Sequence, residues 1–125
     1  MRLLLDTHVM LWALARPKEL ASPARDALRD PGNMVFASVV SAWEAEIKRA
    51  LGKLRAPEDL SEELRRSRFT ELALRLHHVR ALRDLPSLHR DPFDRMLLAQ
   101  AKADGLTLVT RDERLGDYGV PLLPA

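Results

Sequence analysis

Asp6, Glu44, Asp94 and Asp112 are distant in the chain, yet the sequence places each at the junction of a strand and a helix. Leu3-Leu4-Leu5 is an apolar run that closes on Asp6. Glu44 falls in the first turn of a helix expected after the Met34-Val35-Phe36-Ala37 strand. Asp94 falls in the first turn of a helix opened by Asp91 and Pro92, and Asp112 follows the apolar stretch Leu106 to Val109. Carboxylates gathered at one point repel and raise one another's pKa unless a cation compensates them. A hard divalent cation is the ordinary solution, because Mg2+ and Mn2+ prefer carboxylate oxygen and retain water. Such an ion lowers the pKa of bound water, aligns a phosphate and offsets charge on the departing oxygen. The chemistry suggested is hydrolysis at phosphorus, with no Ser, Cys or His nucleophile required.

Each acid also has a plainer role open to it. Ser41-Ala42-Trp43-Glu44 fits a capping box, in which Glu44 would tie back to the Ser41 N–H. Asp94 could complement the helix dipole, and Asp112 could cap the turn towards Leu115. Asp6, closing a wholly apolar strand, is hardest to reassign. The hydroxyls of Ser38 and Thr110, both at strand ends, could orient metal-bound water or act as caps. Arg95 and Arg111 stand beside two of the acids and could hold phosphate or pair with those acids. Lys48, Arg49, Lys53 and Arg55 form a basic group beyond Glu44, either a nucleic-acid-facing patch or a solvated helix end. The four histidines read as structural or surface residues, with adjacent His77 and His78 pointing to different sides. Trp12 and Trp43 read as core or interface.

The elements that would position these residues follow from pattern. Asp91 caps a helix with Pro92 at its first position, where a missing N–H costs nothing. Asp94, Leu97, Leu98 and Ala101 share one helical face, and Asp104-Gly105 ends that helix. Leu106 to Val109 reads as a strand covered on both faces. Arg2 to Leu5 is a central strand, followed by a helix capped by Thr7 or Asp6 and ended by Pro17. Ser22-Pro23 opens a short helix to about Arg29, and Asp30-Pro31-Gly32-Asn33 is a turn. Ser38 or Ser41 caps the helix after the second strand. A charged helix spans Glu58 to Arg68, a weak edge strand lies within Phe69 to Leu76, and a short helix covers His77 to Leu85. Asp117-Tyr118-Gly119 is a turn, and Val120 to Leu123 is a final strand that Pro121 places at an edge. Strands separated by helices imply a parallel sheet covered on both faces. Right-handed crossovers put every strand-to-helix junction on one rim, where such sheets bind ligands.

The 125 residues suit one domain, 1–125, able to bury about two-thirds of its unfolded surface. Hydrophobic residues make up 46% and charged residues 30%, and there is no cysteine, which excludes a disulfide framework or a zinc–thiolate site. No apolar run approaches the ~20 residues of a membrane span, and Asp6 interrupts the opening run too early for a signal peptide. A soluble cytoplasmic protein with no membrane partner is expected. A net charge of +2 does not by itself identify a nucleic-acid partner, although Arg outnumbers Lys by 16 to 4.

Leu3-Leu4-Leu5-Asp6-Thr7-His8-Val9, Ser38 to Lys48 as SVVSAWEAEIK with Gly52-Lys53-Leu54, then HRDPFDRMLLAQA from His89 and LVTRD ending at Asp112 resemble the PIN domain, and among its members the VapC toxins of VapBC toxin–antitoxin pairs. The resemblance runs from Leu3 to Val120 and carries little signal between about Glu58 and Leu85. It implies a three-layer α/β/α sandwich with a mainly parallel sheet of four to five strands. It implies Asp6, Glu44, Asp94 and Asp112 as metal-binding and catalytic acids, with Mg2+ or Mn2+ as cofactor and RNA as substrate. It also implies a homodimer neutralised by a cognate VapB-like antitoxin. A catalytically silent RNA-binding or antitoxin-binding module is the alternative. A phosphatase of the haloacid-dehalogenase type would require a second Asp two residues after the first, where His8 stands, and a receiver domain would require an acid pair earlier in the chain.

Overall fold

The computed structural model describes residues 1–88 and 91–125; His89 and Arg90, where HRDPFDRM begins, lie outside the described residues. Five strands form one sheet: β1 (Arg2–Leu5), β2 (Met34–Ser38), β3 (Thr70–Leu72), β4 (Thr107–Thr110) and β5 (Leu122–Pro124). Their order is β3-β2-β1-β4-β5, and every neighbouring pair is parallel. The chain leaves β1 in one direction to build β2 and β3, then returns to the other side for β4 and β5. The crossing point lies between β1 and β4, where open α/β sheets leave a crevice at their carboxyl ends.

Side chains alternate across a strand, so each face collects every second residue. Leu3, Leu5, Val35, Ala37 and Val109 share one buried cluster with Val9, Met10, Ala24 and Leu64. Helices α1 (Thr7–Ala15), α2 (Ser22–Arg29) and α4 (Leu60–Arg66) supply that layer. Leu4, Phe36 and Leu108 face the opposite way, into a cluster with Leu97, Leu98, Ala101 and Leu115. Helices α5 (Leu76–Ala81) and α6 (Pro92–Asp104) cover this second face, and α3 (Val39–Ala50) adds Val40 to it. The result is an α/β/α sandwich with five strands, as the alternation of elements and the resemblance imply.

Several ends are set as the sequence dictates. Asp91 Oδ1 accepts the Phe93 and Asp94 N–H groups at 2.8 and 3.2 Å, and Pro92 opens α6. Gly105 closes α6 at φ 65°, a left-handed conformation that side chains with a Cβ resist. Two starts differ from the sequence reading. Helix α2 begins at Ser22 with Ala21 as its cap residue, so Ser22 does not cap it. Helix α3 begins at Val39, capped by Ser38 through the Val40 N–H at 3.0 Å. Ser41 is therefore already inside α3, and Glu44 lies in the second turn instead of the first. The charged helix is shorter than Glu58 to Arg68, because Asp59 caps it through the Glu62 N–H at 3.1 Å. The expected turn at Asp117 to Gly119 is the end of a 3-10 segment, Glu113–Tyr118, with Gly119 left-handed after it.

Candidate active site

Asp6 follows β1 directly, and its backbone N–H continues the sheet by donating to the Val109 carbonyl at 3.1 Å. Its Oδ1 caps α1 by accepting the Val9 N–H at 2.8 Å, and its Oδ2 accepts the Thr110 hydroxyl at 2.5 Å. Burial drives the Asp6 pKa above the ordinary carboxylate value; it outweighs the Thr110 and Val9 hydrogen bonds and the nearby His8, and Glu44 pushes the same way. The folded chain thus holds a carboxylate in surroundings that disfavour its charge, a perturbation that clusters at functional sites.

The Thr110 hydroxyl has a second duty. It accepts the Asp112 N–H at 3.1 Å, so one side chain ties Asp6 to the backbone of the next acid. Asp112 caps the 3-10 segment through the Arg114 N–H at 3.0 Å and receives the Arg114 guanidinium at 2.9 and 3.0 Å. Arg114 in turn feels the charge of Asp94. Asp94 is half-buried in the first turn of α6.

Glu44 is buried, 5% exposed, near the start of α3. Its Oε1 accepts the Thr7 hydroxyl at 2.5 Å and its Oε2 accepts the Lys48 ammonium at 2.6 Å. The capping-box role is not formed: Ser41 Oγ is buried and has no hydrogen-bond partner among the described residues. The bond to Glu44 raises the Lys48 pKa, with further contributions from Asp91 and Asp94. Thr110 joins Asp6 to Asp112 through hydrogen bonds, and the other acids are related by charge: Asp94 acts on Arg114 and Lys48, and Glu44 acts on Asp6.

Other candidate residues are placed elsewhere. Ser38 donates to Gln100 Oε1 at 2.6 Å while capping α3, which directs its hydroxyl into the core. Arg95 donates to the carbonyls of Pro86 and Leu88 at 3.0 and 3.3 Å. Arg111 donates to the Ala125 carbonyl at 3.0 Å and to that of Glu19, with its guanidinium 4.2 Å from the Trp12 ring centre. These two arginines hold loops and the last strand in place, and neither forms the expected pair with its neighbouring acid among the described residues. Lys48, read as part of a solvated basic group, is instead drawn into the acids. Arg49 is tied to the Pro57 carbonyl at 2.6 Å. Thr7, considered only as a cap, is a direct partner of Glu44. Its position beside Asp6 was the available signal, since residues after a strand end share the same rim.

His77 and His78 do not diverge as expected. Both reach Asp104, at 2.7 and 2.8 Å, with ring centres 4.0 Å apart. A carboxylate between two imidazoles is a conceivable metal centre, and the donor atoms lie within 4.8 Å of one another. The tautomer opposes it. His78 Nδ1 accepts the Arg75 N–H at 3.0 Å, so its proton sits on Nε2 and is donated to Asp104. Ligation through Nε2 would move that proton onto Nδ1, against another donor. The group is a latch between α5 and the end of α6.

Comparison with known proteins places the chain in a family. The PIN domain model matches residues 3–121. Ribonuclease VapC22 of Mycobacterium tuberculosis is 32% identical over 124 residues, covering 94% of this chain and 92% of that protein. Among solved structures, VapBC2 from Rickettsia felis bound to a DNA fragment from their promoter aligns with a TM-score of 0.74 at 18% identity, covering 99% of this chain and 98% of the other. DNA-bound VapBC from Salmonella typhimurium aligns at 0.70, also at 18% identity, covering 99% and 98%. From the family match and the sheet order together, the chain belongs to the PIN domain family.

Proposed function

We propose that this chain is an Mg2+- or Mn2+-dependent endoribonuclease, the toxin of a toxin–antitoxin pair, which hydrolyses RNA phosphodiester bonds and is silenced by a VapB-like antitoxin. The observation that carries this reading is Thr110, whose hydroxyl holds the Asp6 carboxylate and accepts the Asp112 N–H, beside a Glu44 charge that acts on the buried Asp6. The relative named as a ribonuclease supports the substrate class. Neighbours described as VapBC complexes support the partner. No helix among the described residues is long and apolar enough to cross a membrane, and a cytoplasmic location fits an RNA substrate.

Asp6 and Asp94 would hold the principal ion, with Glu44 and Asp112 completing the site directly or through water. An ion held there would lower the pKa of a bound water and screen charge on the departing oxygen. The chain's own part is orientation. Thr110 and the Val9 N–H fix the Asp6 carboxylate. Thr7 and Lys48 fix the rotamer of Glu44. Among the described residues, Arg114 and Lys48 are the Arg and Lys side chains paired with these acids, and so the better candidates to meet substrate phosphate. A homodimer fits the exposed apolar stripe of Trp43 and Ile47 on α3 and Leu51 at its C-cap, spaced one turn apart.

Purified protein incubated with RNA and Mn2+ or Mg2+ should cut it, and chelator should stop the cleavage. Asp94→Asn and Asp6→Asn should each lower the rate by roughly 100-fold or more, the scale at which charge stabilisation is lost. Full activity in both variants would remove the assignment. RNA binding without cleavage in the wild type would favour a silent binding module.

A further inference from the structure

The opposite rim of the sheet carries a second feature that the acids do not explain. A cavity of about 430 Å³ opens between the end of α1, α2, the turn before β2 and the residue before β3. Its apolar lining includes Leu20, Leu28, Val35 and Phe69. Arg25, Arg29 and Arg68 line the same space. Its volume falls among those of small-molecule pockets, roughly 300–1,000 Å³.

The three arginines are available to a ligand, because none of their guanidiniums has a hydrogen bond or ion pair to any described residue. Arg25 and Arg29 stand four apart on α2, a spacing at which like charges destabilise a helix. Arg68, at φ 60° the one non-glycine residue described with positive φ, is the left-handed residue that closes α4: the Phe69 N–H donates to the Leu64 carbonyl at 2.9 Å and the Arg68 N–H to that of Arg65 at 3.1 Å, which fixes where Arg68 leaves the helix. One acid lines the cavity, Asp30, and its Oδ1 is engaged by the Gly32 N–H at 2.8 Å. Two positive charges remain in excess. Repulsion between the arginines is relieved by an anion between them.

We propose that this cavity binds a nucleotide, its phosphate held by Arg25, Arg29 and Arg68 and its base packed on the apolar lining beside Phe69. Arg forks match phosphate, and an aromatic ring with apolar surroundings is how single bases are held. A free nucleoside monophosphate and one nucleotide of an RNA chain present the same chemistry. The site is separate from the acids: α1 runs from one rim to the other, about 13 Å at 1.5 Å per residue.

Calorimetric titration of the wild-type chain in chelator tests this with three probes: inorganic phosphate, each nucleoside 5′-monophosphate, and a 2′-O-methyl RNA oligomer that cannot be cut. Binding of a monophosphate, or of the oligomer alone, at least tenfold tighter than phosphate is expected, and identifies the free or the chain-borne source respectively. Arg25→Ala and Arg68→Gly should each weaken it at least tenfold. Arg68→Gly also relieves the positive φ, so its Tm should hold or rise, which separates lost binding from lost folding. Asp6→Asn should bind as the wild type does, so failure here leaves the cleavage reading standing and the reverse also holds. No binding by any probe, phosphate bound as tightly as nucleotide, or affinity unchanged in both arginine variants would overturn the proposal.

Discussion

Asp6 shows most clearly what a single residue contributes. Its pKa in the folded chain lies above the unfolded value near 3.8 because burial disfavours the charge. A raised carboxylate pKa means that the protonated form binds its proton more tightly in the folded state. The associated stability is present below pH 3.8 and is lost as pH rises through the folded value. At neutral pH the charged Asp6 is therefore a cost. Asp6→Asn should raise Tm in chelator by a few degrees at pH 7, about what 1 kcal/mol gives in a chain of this size, and should give little at pH 3.5. Scanning calorimetry at the two pH values measures the difference. Lys48 works in the opposite sense, since its ammonium compensates the buried Glu44. Lys48→Ala should lower Tm in chelator and enlarge the increase produced by Mn2+, which then replaces the missing positive charge. An unchanged Mn2+ response would show that Lys48 and the ion do not share Glu44. Asp6 was legible from sequence because no ordinary packing need places a carboxylate directly after Leu3-Leu4-Leu5. The Thr7–Glu44 bond was not, because it depends on how α1 and α3 lie beside each other, and no local pattern records that.

Elements were read well where the chain's own chemistry terminates them. Asp91-Pro92 and Gly105 bound α6 in both sequence and structure, because a cap, a ring without an N–H and a residue free to adopt φ 65° leave little choice. The start of α3 was left open between Ser38 and Ser41, since both have the right side chain. The structure resolves it through Gln100, whose Oε1 receives the Ser38 hydroxyl from across the core. The stretch from Glu58 to Leu85 was the weakest part, because its helices carry few apolar positions and β3 has three residues. The latch of His77, His78 and Asp104 belongs to that stretch. Burial pulls the Asp104 pKa up, but the bonds to His78 and His77 together outweigh it, and the net shift is downward from 3.8. Stability from Asp104 is therefore present above pH 3.8 and disappears as pH falls through the lower folded value. Asp104→Asn should lower Tm at pH 6 and flatten the fall in Tm below about pH 4. An identical acid limb in variant and wild type, followed by circular dichroism, would count against the latch.

For the whole molecule, the sheet order decides which residues can meet. With β1 central and its neighbours β2 and β4 on either side, one rim receives Asp6, the start of α3 and the segment after β4. The start of α6 joins them because α6 runs antiparallel to β4, which follows it. This much could be foreseen from alternating elements and right-handed crossovers. The amino-terminal rim could not, because its cavity is enclosed by a turn, a helix end and a loop whose relative positions no periodicity encodes. Ligand binding to the folded state stabilises it by mass action. Saturating Mn2+ should therefore raise the wild-type Tm, by about 2.7 kcal/mol in free energy at a hundredfold excess over Kd. Asp94→Asn should lose most of that increase, as a thermal-shift titration would show.

Asp6 and Thr110 touch although they lie 104 positions apart in the chain. A ribosome making this chain therefore releases the first strand long before the partners of Asp6 exist. Until residue 112 has emerged, the nascent polypeptide lacks Thr110 and Asp112, so a centre built on these acids, as proposed, would form only at the end of synthesis. Under that reading, interrupted synthesis or proteolytic loss of the last strands would yield a fragment without cleavage activity.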